Sequence, residues 1–157
     1  MNRYVELFRI PNVWVLLIAC FPARVAYGMV GLSIFFKAEQ STGSIAFAGI
    51  AIGLNAAAGS FTAGIRGSIM DKYGQTWPLR IMVPGYAAMA FALNAMHSKP
   101  LMLIFAFAMG LSAPPINLSV RPLWKIVVPE DFLRTAYAMD TAIMSTAGVV
   151  GPVIATS

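Results

Sequence analysis

Residues 40–65 read QSTGSIAFAGIAIGLNAAAGSFTAGI, 26 residues without a single Asp, Glu, Lys or Arg. Wound as a helix at about 1.5 Å per residue, such a run is about 39 Å long. The hydrocarbon core of a bilayer is about 30 Å thick and takes about 20 apolar residues to cross. The run is uniformly apolar rather than alternating, which excludes the dyad pattern of an outer-membrane strand. A helix also satisfies each backbone N–H and C=O within its own segment, as lipid requires.

The same pattern repeats along the chain. Residues 81–98, 100–120 and 141–157 are charge-free, as are 10–23 and 25–36, which only Arg24 separates. These runs predict five spans near 12–36, 44–66, 79–97, 100–121 and 137–157, an all-α polytopic membrane protein. Composition agrees: 59% of the 157 residues are hydrophobic and 11% charged, where a soluble surface needs about 25–35% charged residues. Soluble, disordered, disulfide-rich and nucleic-acid-binding classes are excluded, the last because the +5 net charge is distributed between apolar runs. One cysteine, Cys20, allows neither an internal disulfide nor a cysteine metal site.

Lys and Arg set the orientation. The N-terminal segment and the loops after spans two and four carry Arg3, Arg9, Arg66, Lys72, Arg80, Arg121, Lys125 and Arg134; the opposite side has Lys37 and Lys99. Eight against two puts the N-terminus in the cytoplasm. Span five is followed by no flanking charge, so the chain is expected to be part of a longer protein, with further spans encoded downstream of Ser157. Leu17-Ile18-Ala19-Cys20 resembles a lipoprotein cleavage box, but apolar sequence resumes at Val25, where a lipoprotein would turn polar.

Polar residues inside the spans are the candidates for function. Arg24 lies 12 residues from either end of its span, about 18 Å from each surface, beyond the reach of snorkelling. A charge there costs at least about 2.5–3.5 kcal/mol, so Arg24 must meet a cavity, an anion or a carboxylate, unless span one is shifted. Asp140 opens span five, where a carboxylate is stabilised by the helix dipole; its second reading is a proton or substrate carboxylate. Asn55 and Asn117 either line a cavity or bond a neighbouring helix. The sequon Asn117-Leu118-Ser119 falls inside a span and is discounted, and His97 reads as an interface residue. Small residues at Gly49, Gly53, Ala57, Ser60, Gly64 and Ser68 form a stripe expected to pack closely on another helix. Gly110, Pro114 and Pro115 predict a kink in span four, and Pro22, Gly28 and Gly31 a bend in span one. No GxxxxGK[ST], HExxH or GxSxG run and no His cluster is present, and the spans offer no paired catalytic groups, so neither an enzyme nor a cofactor is expected.

Between spans two and three lies Gly67-Ser68-Ile69-Met70-Asp71-Lys72-Tyr73-Gly74-Gln75-Thr76-Trp77-Pro78-Leu79-Arg80. It resembles the cytoplasmic signature of the major facilitator superfamily, Gly-x-Leu-x-Asp-[Arg/Lys]-x-Gly-[Arg/Lys]-[Arg/Lys]. Gly67, Asp71, Lys72 and Gly74 match, Ile69 replaces Leu, and Gln75 and Thr76 depart where basic residues are usual, with Arg80 as a partial substitute. In span five, Ala147-x-x-x-Gly151-Pro152-x-x-Ala155 resembles the glycine-proline motif of proton-coupled exporters. Arg121-Pro-Leu-Trp124, then Pro129-Glu-Asp and Arg134-Thr-Ala-Tyr137, are similar to the loop of a bacterial exporter-like group.

The resemblance covers five of an expected twelve helices, so the C-terminal half of the transporter would be a missing partner. It implies a multi-pass inner-membrane transporter that works by alternating access, with protons as coupling ion, the bilayer as surroundings and a small molecule as substrate. Efflux is favoured over an uptake permease of the same fold; a non-transporting truncated protein and a channel subunit are the other classes. Under this resemblance Gly67, Asp71, Lys72, Gly74, Arg80 and Arg121 belong to the cytoplasmic gate, Gly151 and Pro152 shape the span-five interface, and Arg24 lines the substrate site.

Overall fold

A computed structural model describes residues 2–156, and these form seven helices with no strand among them: α1 (Asn2–Arg9), α2 (Val13–Thr42), α3 (Ile45–Tyr73), α4 (Thr76–Ala95), α5 (Lys99–Ser112), α6 (Ile116–Val127) and α7 (Glu130–Thr156). Four segments are long and apolar enough to cross a membrane: α2, α3, α5 continued into α6, and α7. The fourth helix, at the place of the expected third span, has 20 residues but is not among them. Arg80, Asn94 and two prolines, Pro78 and Pro84, dilute its apolar content.

Most boundaries run further than the charge gaps implied. The third helix continues to Tyr73, so Arg66 is not a loop residue. Helix α6 runs to Val127, so Arg121 and Lys125 lie on a helix rather than in a loop. Arg66 and Lys72 in α3 and Arg121 and Lys125 in α6 continue these helices rather than ending them, because Lys and Arg are good helix formers. A short helix, α1, precedes the first span and was not foreseen.

Local chemistry explains the ends. Asn12 turns α1 into α2 at φ 69, a conformation Asn tolerates, and its carbonyl accepts from Leu16 N–H at 3.0 Å. Gly43 adopts φ 66 between α2 and α3. Ser44 then caps α3, its hydroxyl accepting from Phe47 N–H at 3.2 Å. Gly74 closes α3 at φ 74, where a Cβ is strained. The kink expected in span four is a complete break: α5 ends at Ser112 and α6 starts at Ile116, across Pro114 and Pro115. Pro22 lies inside α2 without ending it, near the first third of the helix.

The chain divides into two compact units. One comprises the residues up to Val30 and those from Ile116 onward; the other comprises residues 31–115. In the first unit α1 and α6 both pack on α7, around a core of Leu7, Val13, Val120, Trp124, Ala136 and Met139. In the second, α5 packs against α3 and α4.

Candidate functional site

Within the first unit, α2 and α7 approach closely because both are notched by glycine. A Cβ on Gly28 would lie 3.1 Å from the Ala147 carbonyl, and one on Gly151 would lie 2.8 Å from the Val25 carbonyl and 3.0 Å from the Gly28 carbonyl carbon. The Ala147 and Gly151 positions of the span-five motif are both buried, and Pro152 lies inside the same helix. Two backbones held this near bring their side chains into direct reach one to three turns further along.

Arg24 and Asp140 meet there. Arg24 Nη2 donates to Asp140 Oδ1 at 2.8 Å, and Nη1 points to the Asp140 main-chain carbonyl at 3.4 Å. The two side chains are 3% and 8% exposed, so the pair is cut off from water and its Coulomb attraction is poorly screened. Asp140 is not the helix cap it was expected to be. The seventh helix begins ten residues earlier, and Glu130 and Asp131 occupy its first turn, where the helix dipole favours acids. Cys20 stands one turn before Arg24 inside unbroken α2, which does not suit a lipoprotein cleavage site.

The second unit holds the other polar contacts. Asn55 Nδ2 donates to the Ala106 carbonyl at 2.9 Å, bonding α3 to α5. One turn on, a Cβ on Gly110 would fall on the Asn55 carbonyl and come 2.9 Å from Ala58 Cβ. The expected stripe does not make this contact. Gly49, Gly53, Ala57, Ser60, Gly64 and Ser68 are all exposed, and α3 instead packs through Ala48, Ala51, Ala58, Arg66 and Met70. Both faces of α3 carry small residues, and the one that also offers Asn55 and Arg66 as donors is the one used.

The signature residues lie at the end of α3 and the start of α4. Asp71, Lys72, Gly74 and Arg80 are exposed, and the Lys72 ammonium sits 5.1 Å from the centre of the Tyr73 ring. A Cβ on Gly67 would have open space around it among the described residues, so the close helix approach expected at that glycine is absent. Arg121 and Asn117 are exposed on α6, and His97 is exposed just past α4.

Sequence reasoning missed Arg66. It is 7% exposed, and its guanidinium donates to main-chain carbonyls of Gly59 and Ala113. A charge at the edge of an apolar run reads as a boundary, and only the acceptor at the helix break, Ala113 next to two prolines, could have flagged it. Among the described residues no group of three or more His, Cys, Asp or Glu is placed to hold a metal.

Four apolar spanning helices, glycine-notched packing and a buried ion pair define a polytopic α-helical membrane protein. No family model matches the chain, and no solved structure does. It is similar to the uncharacterized MFS-type transporter y4rN of Sinorhizobium fredii, with 29% identity over 163 residues, 97% of this chain and 39% of that protein. The four apolar helices of this chain fit that similarity. The chain spans about two-fifths of the length of that relative, 39%.

Proposed function

We propose that the protein containing this chain is a secondary transporter that carries a small molecule across the bacterial inner membrane by alternating access. The observation that carries the reading is the Arg24–Asp140 pair, joining two helices long enough to span the bilayer. Ionisable residues at such depth face a bundle interior or a wet cavity, and mark solute or proton paths. The similarity to an MFS-type transporter supports the same class.

The finer reading is proton-coupled efflux, with the N-terminus in the cytoplasm. The partial glycine-proline motif at Gly151 and Pro152 favours export, and the excess of Lys and Arg on one set of loops favours that orientation. Asp140 is the group that would gain a proton, releasing Arg24 toward an anionic or polar substrate. Asn55 and Asn117 are further pathway positions. Gly67, Asp71, Lys72, Gly74, Arg80 and Arg121 form the cytoplasmic gate.

Everted membrane vesicles from cells expressing the whole reading frame test this. With a pH-sensitive dye, a panel of small molecules should include some that trigger proton release, and D140N should abolish that release. Solute counterflow that persists unchanged under opposite pH gradients would overturn proton coupling. Gradient-independent conductance would favour a channel instead.

A further inference from the structure

Arg66 sits in α3, yet one of its acceptors lies at the end of another helix. Nε donates to the Thr62 carbonyl at 3.3 Å and Nη2 to the Gly59 carbonyl, both on α3. Nη1 donates to the carbonyl of Ala113, the C-cap residue just past α5, with φ −56 and ψ 118. No carboxylate is among these acceptors. Pro114 and Pro115 follow, and neither has an N–H, so the carbonyls of Gly110 and Leu111 lose their ordinary donors four residues on. Ala113 N–H reaches the Gly110 carbonyl at 3.4 Å in partial replacement. The open carbonyl end of a helix carries roughly half a negative charge, and within a spanning segment water does not readily satisfy it.

We propose that Arg66 is the positioning residue of this break: its guanidinium ties off the carbonyl end of α5 and holds it in register against α3. The cation answers the helix dipole, and its planar fork reaches both helices at once. Asn55 and Gly110, further back along the same pair of helices, fix the spacing; Arg66 fixes where α5 stops. The proposal does not depend on what the protein transports.

The test uses the whole chain in lipid bilayers. Ala113–Pro114 is the single Ala-Pro bond of the sequence, so labelling alanine carbonyl carbon and proline nitrogen isolates one carbonyl for solid-state NMR. That carbonyl should be dephased by arginine side-chain nitrogen, and its resonance should shift in R66M and move only partway in R66K. A double-mutant cycle supplies the second readout, through unfolding in mixed detergent. R66M should lower the folding equilibrium about tenfold where the prolines are present, the size of a charged hydrogen bond. In P114A/P115A, where the break can close into one helix and the Asn117 N–H can reach the Ala113 carbonyl, the loss should be at least about threefold smaller. If R66M does not fold, R66K is compared in the same two backgrounds. An undephased Ala113 carbonyl, or an equal loss with and without the prolines, overturns the proposal.

Discussion

Burying Arg24 without Asp140 would strand a charge in a low-dielectric interior, and the reverse holds equally. Each residue is tolerable because of the other, at 2.8 Å and nearly free of solvent. Removing one partner of such a pair costs about 3–5 kcal/mol, while replacing both with apolar groups is often neutral or stabilising. R24Q and D140N should therefore each destabilise the protein by about 3 kcal/mol. The double variant R24M/D140M should lie well above either single variant in an unfolding titration in mixed detergent. If all three lose equally, the pair is not what stabilises α2 against α7. Arg24 was legible in the sequence because it interrupts an apolar run, and its need for an acceptor follows from depth alone. Its partner was not, because Asp140 is near the start of a charge-free run and read as a cap. Only the ten residues of helix before it, from Glu130, move it to mid-helix.

At the scale of helices, packing is decided by where backbones can touch. Gly110 lies on the Asn55 carbonyl, and Gly151 on the carbonyl of Val25. A methyl group at either site must push a backbone, at about 1–3 kcal/mol for overpacking. G110A and G151A should each lower stability by that amount, while G49A and G53A, with open space around them, should stay within about 0.5 kcal/mol of wild type. Thermal unfolding in nanodiscs measures all four, and a large loss in G53A would show that the exposed face is already occupied. The existence of α3 and the break between α5 and α6 were readable from charge gaps and prolines. The packed face of α3 was not: small residues recur at four-residue steps on both sides, and periodicity cannot rank two equivalent stripes. The donors on one of them, Asn55 and Arg66, make the difference, and they act only when α5 brings its carbonyls alongside.

Over the whole molecule, large apolar side chains face outward: Phe61 is 84% exposed, Ile126 81% and Phe91 78%. Surfaces of this kind aggregate in water and are at home in lipid, so the protein should remain in the membrane pellet after alkaline carbonate washing and be released by detergent. Orientation is the harder question, because it turns on one helix. Of the eight cations expected on the cytoplasmic side, Arg66 is buried within α3, which leaves seven against Lys37 and Lys99, still a strong bias. That assignment needs α4 to cross the bilayer, and α4 is long enough, with 20 residues and about 30 Å, but less apolar than the rest. Its Arg80 lies in the first turns, at the proposed cytoplasmic end, where a long side chain can snorkel to the surface. Reporter fusions decide the matter. A cytoplasm-dependent fluorescent protein joined after Gln75 should glow, and alkaline phosphatase joined after Gly43 or after Ser98 should be active. Phosphatase active after Gly43 but silent after Ser98 would mean that α4 lies along the membrane surface, and the later helices would then carry the opposite orientation.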